Sequence, residues 1–528
     1  MIHVFRNSTI EMLFNDISCT FSNYGVISKI PKAEIYMWFY TPIFDGGIII
    51  KPTTINNYIE KLELIISNLP ESKTIILITM LNVFDIQWEQ EDFSLKSEIE
   101  NYNNTLYQIA LKQNNIKIID IEKFVYNKKN IMDWKYYYIS GIEINPKLAF
   151  GFSQWLTSQL NGINLIRKKC LVLDLDNTLW GGILGEDGLS GILLNEDYPG
   201  KAFRDFQKLI LKSKENGVIL TVCSKNNSED VEKLFKEHPQ MILRKSDFSS
   251  MRINWNDKVT NIREISDELN IGLDSLVFFD DNPRERELVK GILPDVTVPE
   301  FPEKPYNLPL FFKEVYEQYF IIYKLTKEDK DKTQQYLYNI QRETQKSKFE
   351  NFDSYIEALG IEIEIQKADQ YNIARIAQMT QKTNQFNLTT KRYNESDIRN
   401  LIANKNEILC ASIKDRFGDN GISALVIIEQ KNSTTVSFDT LLMSCRILGR
   451  NIEFEFVKYI LNYLKRKNVK NVHAEYVPTL KNKQTEYFYD KLEFKLFRTD
   501  DNIKKYELKL NKKFSINDKY KIKERFYL

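Results

Sequence analysis

Four aspartates, a serine and a lysine stand in the middle of this 528-residue chain in an order suited to gripping a phosphoryl group. The apolar run Cys170–Leu173 leads into Asp174, Asp176, Asn177 and Thr178. Aspartate and asparagine are poor strand formers, so a cluster of them at a strand's end calls for a reason. Alternation sends Asp174 and Asp176 to one side of the chain, where a loop begins. A capping turn would account for one aspartate, but three further elements follow in order. The apolar run 219–223 ends in Ser224, Lys225 and Asn226; Lys258 stands just before a helical pattern, with Lys245 a weaker candidate for the same role; and Leu276–Phe279 ends in Asp280 and Asp281, with Pro283 placed for a helix's first turn. Two like charges about 4 Å apart repel by roughly 1–4 kcal/mol, so converging carboxylates need a cation or raised pKa values. An oxygen-only cluster suits a hard ion, Mg²⁺ above all.

The elements that must position these residues are legible around them. Residues 170–175, 218–223 and 275–279 read as short buried strands, and helical apolar spacing runs through Phe203–Ile210, Val231–Phe235 and Ile262–Leu269. That is a βαβ series, hence a parallel sheet covered by helices, whose strand carboxyl ends share one crevice. The expected divisions are an α/β block over 1–165, the aspartate-bearing block over 166–310, a helical linker over 311–350, an α+β block over 351–510 and an extension over 511–528. In the first block Ile35–Tyr40, Thr74–Thr79 and Ile116–Ile119 read as strands, Ile55–Leu69 and Ile99–Lys112 as helices, and Asp45–Gly47 as a turn. Pro294, Pro299, Pro302, Pro305 and Pro309 mark an extended strap, and Thr326 with Asp329 marks a helix start. In the 351–510 block the strands are expected at 361–365, 408–413, 424–429, 435–440 and 472–476.

Composition narrows the chemistry. Lysine plus arginine number 73 against 72 acidic residues, so no global field steers the chain to nucleic acid or an anionic membrane. Three histidines, His3, His238 and His473, rule out a His-rich metal centre. Five cysteines without a CxxC pair fit a reducing cytoplasm better than a disulfide framework. No targeting segment is visible, and the longest apolar stretches, such as Ile75–Met80, fall far short of the ~20 residues of a membrane span.

The ordered set Asp174/Asp176, Ser224, Lys258 and Asp280/Asp281 resembles the haloacid dehalogenase (HAD) superfamily. The resemblance implies Asp174 as nucleophile forming an aspartyl-phosphate and Asp176 as general acid/base. It also implies Ser224 and Lys258 holding the phosphoryl oxygens, and Mg²⁺ bound by Asp174, Asp280 and the Asp176 carbonyl, with Asp281 the second choice. The wider segments 174–188, 223–227, 278–289 and 298–305, and farther on Lys382–Thr390 and Asp415–Gly421, resemble the FkbH-like proteins over about 167–497. That resemblance implies an enzyme that converts 1,3-bisphosphoglycerate to a glyceryl thioester on an acyl carrier protein's phosphopantetheine thiol, with loss of phosphate. It further implies a degenerate SGNH-hydrolase-like first domain and a GNAT-like third domain. Arg446, Gly449 and Arg450 resemble a GNAT pyrophosphate turn for CoA or a carrier arm, although Asn451 departs from the pattern, and Tyr489 reads either as a GNAT general acid, by its place, or as a packing tyrosine.

Cys223, directly before Ser224, reads either as an acyl-carrying nucleophile activated by Lys225 or Mg²⁺, or as a buried strand cysteine. Cys170, at its strand's start, reads as core. Arg446 and Arg450 are expected to offer surface charge to an acidic carrier protein. The rival readings are a plain HAD phosphatase, a GNAT acyltransferase with a regulatory HAD module, and a binding scaffold.

Overall fold

The computed structural model describes residues 1–28, 30–42, 52–82, 91–126, 128–323, 332–346 and 349–526. The turn expected at Asp45–Gly47 and the helix start expected at Thr326 and Asp329 lie outside the described residues. The chain divides into two units, Met1–Ile163 and Asn164–Leu528.

The first unit is built on strands β1 (Ile2–Arg6), β2 (Cys19–Phe21), β3 (Ile35–Phe39), β4 (Thr74–Ile78) and β5 (Ile116–Ile119). They form one parallel sheet in the order β2-β1-β3-β4-β5. All of β1 is buried, so it lacks the polar–apolar alternation by which a half-exposed strand is recognised. Helices Pro52–Asn68 and Ser94–Lys112 carry Leu62 and Leu106 into a core with Trp38, Tyr58 and Leu77.

The second unit opens with β6 (Cys170–Leu173), β7 (Ile219–Ser224), β8 (Ser250–Ile253) and β9 (Leu276–Phe279), parallel and ordered β8-β7-β6-β9. Alternation divides the central strands between two cores. Leu171 and Leu173 face helix Gly200–Glu215 through Phe206 and Ile210. Cys170 and Val172 face helix Lys258–Glu268 through Ile262 and Ile265. Helix Leu308–Tyr319, mostly assigned to the linker by sequence, buries Phe312 and Val315 in the first of these cores and so completes this layer.

The rest of the second unit is a mixed eight-stranded sheet. Its strands are β10 (Glu362–Lys367), β11 (Glu407–Asp415), β12 (Gly418–Asn432), β13 (Thr435–Met443), β14 (Asn471–Tyr476), β15 (Lys495–Asp500), β16 (Ile503–Lys509) and β17 (Lys521–Arg525). The order is β15-β16-β14-β13-β12-β11-β10-β17. The stretch after residue 510 is therefore no mere extension, because β17 pairs in parallel with β10. Three short contacts anchor it: Tyr520 Oη donates to the Arg450 carbonyl (2.8 Å), Phe514 N to Asn462 Oδ1 (2.9 Å) and Asn517 N to Glu455 Oε2 (2.8 Å). The architecture is thus α/β, with two parallel sheets and a separate mixed one.

Candidate active site

The carboxyl ends of β6, β7 and β9 bring the sequence-predicted acids together. Asp174 follows β6, and its amide donates to the Phe279 carbonyl (3.0 Å), which ties it to the end of β9. Asp280 and Asp281 follow β9 directly. One carboxylate oxygen from each of Asp174, Asp280 and Asp281 lies within 4.8 Å of the others, the arrangement a cation would bridge. Caps fix the flanking helices. Asp257 accepts from Thr260 N (2.8 Å) and sets Lys258 at the first position of its helix. Asn282 accepts from Arg284 N (3.0 Å) ahead of Pro283.

Lys258 is buried between two of the acids, with Nζ 2.8 Å from Asp174 Oδ2 and 2.5 Å from Asp280 Oδ2. Burial works against its ammonium, but the Asp174 and Asp280 charges outweigh it and hold the pKa above the ordinary lysine value. One ammonium does not balance three carboxylates. Burial first, and then the Asp174 charge, push Asp280 up to about 7 and Asp281 up to about 6. The excess negative charge and the all-oxygen donor set fit a hard divalent cation. Lys245, the alternative lysine, is exposed and paired with Glu232.

Asp176 stands apart from the carboxylate cluster. Its Oδ1 accepts from Trp180 Nε1 (2.9 Å) and Leu184 N (3.1 Å), and its Oδ2 from Asn226 Nδ2 (2.8 Å). These three donors hold the carboxyl in one orientation, as a positioned proton carrier requires. Asn226 also lies 3.5 Å from Ser224 Oγ, so it links Ser224 to Asp176. Thr178 Oγ1 accepts from Asp281 N (3.2 Å) and joins the two acidic loops. Sequence reasoning assigned no role to Asn226, Trp180 or Thr178. Each lies two to four residues from a predicted acid or serine, which was the available signal.

Cys223 is corrected by the structure. Alternation along β7 turns it away from the crevice into the core with Val259 and Ile262, where it is fully buried. Burial pushes its thiol pKa far above the ordinary value, and Lys225 is paired with Glu285 (2.6 Å). The core alternative accounts for Cys223, as it does for the fully buried Cys170.

Arg446 and Arg450 are corrected as well, because both are buried and present no surface charge. Arg450 Nη1 pairs with Asp415 Oδ2 (2.7 Å), which Arg342 also engages. Arg446 bonds Ser444 Oγ (3.2 Å) and Gln335 Oε1. Gly449 is exposed, with φ +77° in the turn. β13 and β14 pair only over Thr435–Phe438 and Asn471–Ala474. Beyond that pairing the chain's own segment 386–388 lies between them. Leu388 N donates to the Leu441 carbonyl (3.1 Å), Met443 N to the Phe386 carbonyl (2.9 Å) and Val477 N to the Leu388 carbonyl (2.8 Å). Tyr489 is buried among Phe488, Phe494 and Tyr506, a packing residue.

No protein-family model and no curated protein matches the chain. Among solved structures, it is similar to the N-terminal part of the protein BF1531 from Bacteroides fragilis, which contains a phosphatase domain and was crystallised with Mg. The two are 25% identical with a TM-score of 0.56, over 61% of this chain and 94% of that one. Matches to N-acetyltransferases are partial. The Escherichia coli ribosomal-protein-S18-alanine N-acetyltransferase is 9% identical, with a TM-score of 0.23 over 28% of this chain and 94% of its own. A fold like that of a phosphatase-domain protein therefore carries the Asp174 cluster.

Proposed function

We propose that the second unit houses a Mg²⁺-dependent phosphoryl-transfer site of the HAD type, working on a small phosphate monoester. The observation that carries this is the convergence of Asp174, Asp280 and Asp281 on one point with Lys258 between them. The phosphatase-domain protein crystallised with Mg is similar to this chain and supports the reading. Asp281, Asp280 and Asp174 would hold the ion, which when bound neutralises charge on the phosphoryl oxygens. A carboxylate oxygen of Asp174 attacks phosphorus; the new O–P bond forms as the bond to the leaving oxygen breaks. Asp176, held by Trp180, Leu184 and Asn226, gives its proton to that oxygen. It then takes one from water as the aspartyl-phosphate is hydrolysed. Lys258 and Ser224 hold the phosphoryl oxygens.

The FkbH-like resemblance gives the finer reading: 1,3-bisphosphoglycerate as substrate and a carrier protein's phosphopantetheine thiol as glyceryl acceptor. The thiolate attacks the acyl carbon, an S–C bond forms, and the 1-phosphate leaves with the C–O bond pair; the Asp174 step hydrolyses the remaining 3-phosphate ester, which leaves a glyceryl thioester. With Cys223 in the core, the transfer runs directly to the carrier rather than through that thiol. Intact-mass measurement of candidate carrier proteins after incubation with the enzyme, Mg²⁺ and 1,3-bisphosphoglycerate tests this. A glyceryl mass gain that needs both the substrate and the carrier thiol is expected. Phosphate release with no carrier gaining mass would leave a plain phosphatase.

A further inference from the structure

At the opposite end of the β6–β9 sheet lies a cavity of about 200 Å³ shared with the mixed-sheet region. Among the described residues, five basic side chains line it, namely Lys169, Arg375, Lys382, Arg446 and Lys481, against one carboxylate, that of Asp274. Asp274 is already paired with Lys481. Arg446 is buried, and its described hydrogen bonds go to the neutral oxygens of Ser444 and Gln335. Lys169 Nζ donates to the Lys382 carbonyl (3.3 Å), again a neutral oxygen. Burial pulls the pKa of Lys169 down, an effect an anion in the cavity would reverse. A buried guanidinium without a carboxylate partner is costly, and an oxyanion is the ligand that relieves it.

We propose that this cavity is a second binding site, for a small phosphorylated anion. A phosphate monoester carries up to two charges and several acceptor oxygens, matching a guanidinium and ammonium groups that converge from different elements. The volume suits a phosphate bearing a short carbon chain. Lys169 precedes β6 and Asp174 follows it, five residues on at roughly 3.3 Å each, so the two sites are about 16 Å apart. The second site is thus separate from the aspartate cluster, and it stands whether or not the reading of that cluster is right.

Cys445 also lines the cavity, is partly exposed and forms no disulfide, which makes it a local reporter. The test uses the full chain in EDTA, where the metal-free carboxylates repel phosphate. Cys445 alkylation by iodoacetamide is followed by peptide mass spectrometry with glycerol 3-phosphate, inorganic phosphate, glycerol or sodium chloride at matched ionic strength. At ten times its Kd, glycerol 3-phosphate is expected to slow alkylation about tenfold, while glycerol and chloride do not. Lys169→Gln and Arg446→Gln should each weaken that protection about tenfold. Protection by inorganic phosphate alone would make the site one for the free ion, overturning the ester assignment. Absence of protection by either phosphate, together with no heat of binding in calorimetry, overturns the site. Should Arg446→Gln fail to fold, the half-buried Lys169 carries the test, and wild-type protection in Lys169→Gln overturns the assignment.

Discussion

Lys258 is one ammonium serving two buried carboxylates, with a third within reach, and that imbalance orders the residue-scale expectations. Asp174→Asn removes the nucleophile and one cation ligand while keeping the shape, so Mg²⁺-dependent phosphate release from a phosphate monoester should fall to background. Asp176→Asn leaves the carboxylate cluster intact but removes the proton carrier. Its turnover should drop about 10²–10⁴-fold, with phosphoenzyme visible by intact mass. Cys223→Ala should leave turnover unchanged and cost about 1 kcal/mol of stability in urea titration, because it trims a core side chain. Loss of turnover in that folded variant would return the thiol to the mechanism. The convergence of Asp174, Asp280 and Asp281 was legible in the sequence because aspartate at a strand's end has few structural uses. Cys223 was not, because a cysteine suits either face of a strand, and only the helix packed on β7 decides which face is buried. Arg446 and Arg450 misled for a related reason: arginine is usually exposed, and the partners that bury these two, Gln335 and Asp415, are far away in sequence.

Among the elements, strands with dense aliphatic runs were readable, as was β10, where isoleucine alternates with charged residues, but the last three strands were not. β6, β9 and β5 match their expected spans to within two residues at each end. β16 and β17 carry lysine, arginine or glutamate at most positions, and β15 has only the adjacent Leu496 and Phe497 as apolar residues, so no sustained apolar pattern announces the three. β17 is recognisable only through its partner β10 and through the aromatic residues preceding it. Phe514 and Tyr520 are buried in the mixed-sheet core. Tyr520→Ala should therefore cost about 3–5 kcal/mol in the unfolding of the second unit. Tyr520→Phe, which loses only the hydroxyl's bond to the Arg450 carbonyl, should cost about 1 kcal/mol. Chemical denaturation of both variants measures this, and near-wild-type stability for Tyr520→Ala would mean the segment adds nothing to the sheet.

At the scale of the whole molecule, each unit has its own cores and its own titrating or ligand-binding group, so two agents should act on different unfolding transitions. Mg²⁺ belongs to the second unit. At a hundredfold excess over its Kd it should raise that unit's stability by about 2.7 kcal/mol, an effect EDTA removes. The first unit carries Glu143, buried with Oε1 accepting from Thr41 Oγ1 (2.9 Å) and Oε2 without a partner among the described residues. Burial pushes its carboxyl up to about 7 from 4.5, opposed only by the Thr41 bond. The native state therefore holds this proton more tightly than the unfolded chain. Between pH 4.5 and 7 unfolding releases it, so stability falls as pH rises, by about 3 kcal/mol in all. Glu143→Gln keeps the Thr41 contact and removes the charge. The variant should match wild type near pH 4, exceed it at pH 8, and leave the Mg²⁺-sensitive transition in place. Calorimetric scans at both pH values with and without Mg²⁺ separate the two effects. A Glu143→Gln protein no more stable than wild type at pH 8 would mean that the buried carboxylate is solvated in solution.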